Sequence, residues 1–449
     1  MKPAQKAKYN LTEGGILKKL LLVAVPIMGT QLTQMAYNLT DMFWLGRVGS
    51  NAVAAVGSAG MFMWLSFGFI LLGRMGAEIG VSQSLGREDK TTALAFSQNA
   101  MVISATLGLI IGLVMIFFNK QLISFFNFRE QSVADTAAEY LMIVGFGMPI
   151  NFIVNVVAGT YYASGNSRIP FIFTALGLVI NMVLDPVFIL IMGMGARGAA
   201  IATIIAQIVS GVAIILALFF HKSRPFEKYS FVFKPEIVKI RQLFKWSIPI
   251  SLESLLFCFL TMITARIEAS FGANAIAVSR LGVQIESLSW LIGGGFGSAM
   301  VAFVGQNYGA RKWERIGKGT KIGSGVMLIW GSLITALFIL LGAPIFSIFF
   351  PGGTDLIALG RQYLLILAFS QLSMNLEAVA AAWFRGIGRT MPPSMVSITC
   401  NVIRPPLALI LSRTSLGILG VWVTITISSF LRGAWIFIWF LIASRREKG

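Results

Sequence analysis

The chain has 449 residues, of which 56% are hydrophobic and only 12% charged, with a formal net charge of +18. Soluble domains carry about twice that share of charge, so a water-soluble globular protein is excluded. The basic excess does not mark a nucleic-acid binder, because Lys and Arg fall in short connections between apolar runs, the distribution that membrane insertion produces.

The apolar runs are about 20–27 residues long, which is the length of membrane-spanning helices rather than of barrel strands. An all-α polytopic membrane protein with twelve transmembrane helices is expected. The spans lie at about 17–44, 52–81, 93–118, 133–158, 168–192, 197–220, 243–267, 275–304, 320–343, 357–382, 394–412 and 417–442. The first run is too long for a cleaved signal peptide and has no small-residue cleavage site.

Span 1 is the most informative. From residue 20 to residue 44 it carries Asp41 and no basic residue, the next being Arg47, and an unpaired carboxylate at membrane depth costs roughly 2.5–3.5 kcal/mol on insertion scales. Tyr37 precedes Asp41 by one helical turn and shares its face. Pro26 in the same span removes a helical hydrogen bond and supplies a hinge. Span 5 repeats the arrangement with Asn181 one turn before Asp185. These four residues are expected to form an ion-coupling site; the alternative is a hydrogen-bonded pair that locks two helices.

Span 2 carries Arg74 and Glu78 at the spacing of a local ion pair. Its Gly73, Gly76 and Gly80, like Gly293 to Gly297 in span 8, fit close helix packing. Met35, Met42, Met61, Met63, Phe152, Tyr161 and Tyr162 are candidates to line a cavity for flat aromatic compounds, or else pack the core.

The longest connection, about 221–242, is basic (Lys222, Arg224, Lys228, Lys234, Lys239, Arg241). It divides the chain into an expected lobe 1–222, a linker 223–242 and a second lobe 243–449. One side of the membrane collects Lys2, Lys6, Lys8, Lys18, Lys19, this linker, the cluster from Arg311 to Lys321, Arg385, Arg389, Arg445, Arg446 and Lys448. The other side holds Arg47, Lys120, Arg129, Arg197, Arg361 and Arg413. Both termini are therefore expected on the cytoplasmic side of the inner membrane.

The second half carries its own acids, Glu253, Glu286 and Glu377, with Arg404 near them in depth. They are expected to form a structural salt-bridged cluster or a second ion or substrate-charge site. Cys258 and Cys400 are far apart in apolar runs, and the one histidine, His221, ends a run. Neither a metal site nor a His-based triad follows from them, and there is no G-x-x-x-x-G-K-[ST] phosphate loop. No enzyme, cofactor or ATP-driven motor is expected.

The two halves repeat. A shift of 223 places Pro26 on Pro249, Gly49 on Gly272, Gln83 on Gln306, Gly86 on Gly309, Tyr140 on Tyr363 and Gly165 on Gly388. One residue is then lost, and Gly195 falls on Gly417. Six spans per repeat is an even number, so two six-helix lobes should be related by a pseudo-two-fold axis along the membrane normal, with the substrate path between them. Asp41 falls on Thr264 and Asp185 near Leu407 or Ala408, so the aspartates belong to the first lobe alone.

Several stretches carry a family resemblance. They are Asn38-Leu39-Thr40-Asp41, Asn181 through Asp185-Pro186, and Gly195-Ala196-Arg197-Gly198-Ala199-Ala200. Val304 through Ala310 (VGQNYGA) and Phe384 through Thr390 (FRGIGRT) complete the set. With the 6+6 layout, the chain resembles the multidrug and toxic compound extrusion (MATE) family over its whole length, and its aspartate pair resembles the DinF-like, prokaryotic proton-coupled branch.

The resemblance implies a V-shaped central cavity and efflux of organic, often cationic or amphipathic, compounds in exchange for H+ or Na+ by a monomer. It places Asp41, Asp185, Asn181 and Tyr37 in a first-lobe cation site. The NorM-like branch pairs a span 7 Glu, matched by Glu253, with a span 10 Asp, where this chain has Met374. A lipid-linked precursor flippase of the same superfamily is the alternative; it would be expected to have more spans and an arginine-lined cavity.

Overall fold

A computed structural model describes residues 9–128, 130–230 and 233–447; Lys2, Lys6, Lys8, Arg129 and Lys448 of the charge pattern lie outside them. Among the described residues, twelve helices are long and apolar enough to cross a membrane. We number them α1 (Ile16–Val48), α2 (Ser50–Gly86), α3 (Lys90–Phe117), α4 (Gln131–Ala163), α5 (Arg168–Pro186) and α6 (Gly195–Phe220). The second lobe holds α7 (Ile237–Ala269), α8 (Ala273–Gly309), α9 (Trp313–Phe349), α10 (Thr354–Gly386), α11 (Met391–Ser412) and α12 (Ile418–Arg446). Most outrun the apolar spans that mark them, because α2, α8 and α10 continue for a turn or more past their apolar segments.

The turns preserve the repeat at the level of backbone angles. Gly165 and Gly388 both have φ +82°, and Gly195 and Gly417 have φ +55° and +54°, a region that favours glycine. Even the non-glycine exceptions pair, since Glu88 and Arg311 have φ +61° and +58° and stand 223 apart. The Asp89 side chain caps α3 by accepting from the Thr92 amide at 2.9 Å, and the Thr92 side chain together with that amide holds its carboxyl below the usual carboxylate range.

The linker is shorter than 223–242, because α7 already begins at Ile237. It is also docked. Phe226 and Tyr229 are buried in the first lobe's core, Gln98 Nε2 donates to the Ser230 carbonyl at 2.6 Å, and Asn99 Oδ1 accepts from the Glu236 amide at 2.9 Å. Burial pushes the Tyr229 phenol up to about 12.

The lobes touch along two related seams, α1 on α8 and α2 on α7. Gly295 packs on Met28, Ser287 Oγ donates to Met35 Sδ at 3.8 Å, and Ser251 Oγ donates to the Gly68 carbonyl at 2.8 Å. At the membrane face that carries both chain ends, α2 and α8 cross so closely that a Cβ on Gly86 would strike the Gln306 carbonyl and one on Gly309 the Gln83 carbonyl. Gln83 Nε2 donates to the Gly386 carbonyl at 2.9 Å, and Gln306 Nε2 donates to the Ala163 carbonyl at 2.7 Å. Donors and acceptors are each 223 apart, so this is one latch drawn twice about the pseudo-two-fold axis.

The segment before α1 lies across the same crossing. The Leu11 amide donates to Gln306 Oε1 at 3.0 Å, and the Leu11 carbonyl accepts from Asn307 Nδ2 and Arg315 Nε, each at 3.2 Å. The terminal face is thus closed.

Candidate functional site

Asp41 on α1 and Asp185 on α5 come together inside the first lobe. Asp41 is 7% exposed and Asp185 fully buried, and their carboxyl groups are neighbours that act on each other. Asn181 Nδ2 donates to Asp185 Oδ1 at 2.9 Å, and Thr203 Oγ1 on α6 approaches Asp41 Oδ2 at 3.5 Å. Tyr37 joins from α1 by donating to the Thr203 carbonyl at 3.3 Å. The four residues expected from the sequence therefore belong to one cluster.

Two members were not visible beforehand. Thr203 links α6 to Asp41, and the buried Tyr140 on α4 stands beside both acids and Thr203. A lone Thr or Tyr in an apolar helix looks like any other, and only the repeat drew notice to Tyr140.

The cluster is rich in acceptors and poor in donors. Asp41 Oδ1, Asp185 Oδ2 and Asn181 Oδ1 are buried without any hydrogen-bond partner, and neither acid has a basic partner within ion-pair distance. Burying such oxygens unpaired costs several kcal/mol in order of magnitude, so the site is built for something with positive charge or a proton to give. Just after Asp185-Pro186 the backbone widens into a π turn over Val187–Ile191, a deviation frequent at functional sites. Pro26 lies inside α1 fifteen residues before Asp41, so the helix carries its weak point and its acid together.

The second-lobe charges do not form one salt-bridged cluster. Glu253 binds Arg385 at 3.2 Å and Ser394 Oγ at 2.8 Å, whereas Glu377 binds Arg432 at 2.7 Å. Glu286 accepts only from Gln371 Nε2, at 3.4 Å. Arg404 donates to Ser428 Oγ at 2.9 Å and Ser429 Oγ at 3.4 Å.

The Arg74–Glu78 ion pair expected from spacing is absent. Arg74 turns its guanidinium over the Tyr162 ring, 5.6 Å from the centroid, and both Glu78 oxygens are buried without a partner. Of the cavity candidates, Met35, Met42, Met61 and Met63 are at least partly exposed near the lobe interface or the first lobe's outer half. Phe152, Tyr161 and Tyr162 instead sit in packed cores, at 0%, 0% and 2% exposure.

Two repeated six-helix lobes, latched at one face and holding buried acids at membrane depth, define a polytopic membrane transporter rather than an enzyme. Comparison with known proteins agrees. The MatE family model matches twice, over residues 26–187 and 249–410, and the chain belongs to this family of MATE transporters. Similar curated relatives include "Probable multidrug resistance protein YpnP" of Bacillus subtilis, 29% identical over 413 residues and 90% of both chains. Another is "Probable multidrug resistance protein NorM" of Thermotoga maritima, 25% identical over 438 residues, covering 94% of this chain and 93% of the relative. Among solved structures, a MOP-superfamily transporter from Pyrococcus furiosus, described as having a binding pocket of reversed polarity, matches with TM-score 0.92 at 22% identity over 98% of each chain. An outward-facing multidrug resistance MATE transporter matches with TM-score 0.90 at 22% identity, again over 98% of each.

Proposed function

We propose that the chain is an efflux antiporter of the cytoplasmic membrane, exporting small organic, cationic or amphipathic compounds in exchange for H+ at Asp41 and Asp185. The names of its relatives support drug export, and its latched face, taken as cytoplasmic, supports an outward-open resting form. The carrying observation is the neighbouring acid pair with no basic partner in reach. Two neighbouring carboxylates repel each other when both are charged, and a proton taken up between them relieves that repulsion. Deprotonated, they attract a cationic substrate; protonated from outside, they release it, and substrate and proton bind with negative coupling. Bending of α1 at Pro26 would accompany the exchange. The protein is proposed to act as a monomer, because both lobes and the path between them are present in one chain.

A specific observation favours a second reading. The three unpartnered oxygens of Asp41, Asp185 and Asn181 also make a set of ligands for Na+. Efflux of a fluorescent organic cation from proteoliposomes, driven by a pH gradient or by a Na+ gradient, separates the two. The expected result is pH-driven efflux that Asp41→Asn abolishes. Efflux driven by Na+ alone selects the second reading, and full activity in Asp41→Asn overturns both.

A further inference from the structure

The second lobe contains a buried cation that makes no ion pair among the described residues. Arg404 is 7% exposed; of the acids in electrostatic reach, Glu377 is engaged by Arg432, while Glu286 accepts from Gln371 and forms no salt bridge with Arg404. Among the described residues, its hydrogen bonds go to two neutral hydroxyls, Ser428 and Ser429. Guanidinium does not lose its proton in proteins, and a buried cation without an anion is expensive.

Its position adds to this. A shift of 223 places Arg404 on Asn181, the residue that holds Asp185 in the first lobe. Where the first lobe has a neutral side chain that holds an acid, the second lobe therefore has a cation. The guanidinium lies 6.0 Å from the centroid of Phe257, whose ring meets the half-exposed Trp64 of the opposite lobe edge-on at 6.2 Å. That aromatic pair bridges the α2–α7 seam, so Arg404 sits behind aromatic rings at the boundary between the lobes.

We infer that Arg404, seated on Ser428 and Ser429 behind Phe257 and Trp64, is a subsite for the carboxylate of an aromatic, zwitterionic substrate. The inference rests on the export reading and narrows its substrate class. A guanidinium with free donors binds a planar carboxylate in preference to other groups. A single cation, with Glu286 in electrostatic reach, suits one negative charge rather than the two of a phosphate. The substrate's positive end is left for the acids of the other lobe.

The test is equilibrium binding to the purified full-length protein, with no ion gradient, so that it is independent of the coupling ion. The probes are a rhodamine carrying a free carboxylate and its methyl ester, a plain cation of nearly the same shape, followed by fluorescence polarisation. Wild type should bind the acid form more tightly than the ester. Arg404→Gln should weaken the acid form by about tenfold or more, the scale of a lost charge-assisted contact, while the ester moves by less than about twofold. Arg404→Lys should recover part of the difference. Equal weakening of both dyes, or of neither, overturns the inference. If Arg404→Gln does not fold, wild type alone decides, because a carboxylate without a site pays its desolvation and the ester then binds better. Failure of export with the acid-over-ester preference intact would sink the export reading and leave the subsite standing.

Discussion

Among single residues, the buried charges divide by whether they have a partner. Glu377 and Arg432 are about 15% exposed and 2.7 Å apart. Removing one member of such a pair strands the other, at a cost of roughly 3 kcal/mol or more. Glu377→Gln should therefore lower the thermal unfolding midpoint in detergent, and the double change with Arg432→Gln should recover most of the loss. Glu78 is the opposite case, with both oxygens buried and unpaired. Glu78→Leu should raise the midpoint, since an apolar side chain removes a penalty and breaks no bond. The sequence made Glu377, Glu78 and its neighbour Arg74 conspicuous as charges within apolar spans. It did not pair Glu377 with Arg432, because they are on different helices, and it paired Arg74 with Glu78 wrongly, because spacing along α2 overlooks the Tyr162 ring that draws Arg74 away. The aspartates were legible for the same reason: the basic residues of spans 1 and 5, Lys18, Lys19 and Arg168, stand at the far ends of those spans.

Between elements, the strongest constraint is the crossing of α2 and α8. Each glutamine bond of the latch contributes about 0.5–1.5 kcal/mol. Removing both in Gln83→Ala, Gln306→Ala should shift the population toward an open terminal face by roughly tenfold. A cysteine at the buried Ser84, Ser84→Cys, reports this as faster labelling by a membrane-impermeant thiol reagent. Unchanged labelling would mean that helix packing alone holds the face shut. The register of this crossing was readable in advance, since Gln83 and Gln306, like Gly86 and Gly309, matched at one constant shift. That the glutamines reach across to the other lobe's carbonyls was not, because neither acceptor leaves a trace in side-chain identity.

For the molecule as a whole, the number and order of the spans were legible because a bilayer imposes one length and one polarity on every helix. The docking of the linker and of the segment before α1 was not, because both are polar connections whose contacts are tertiary. Orientation follows from Lys and Arg counts. A fluorescent protein fused after Arg446 should mature in the cytoplasm, and an alkaline phosphatase fused at Gly352, in the connection before α10, should be active outside. The reverse pattern would invert the proposed direction of transport.

The latch closes on main-chain carbonyls. Gly386 and Ala163 accept through atoms that every residue possesses, so no substitution at those two positions deletes the acceptor. Only the donors are exposed to mutational drift, and there are two of them, one per repeat. After the duplication that such a repeat records, either half was free to acquire its own interior charges, acids in one and an unpaired arginine in the other. The seal between the halves meanwhile continued to rest on one inherited residue type, and the cavity chemistry of such a protein can diversify without making the membrane leak.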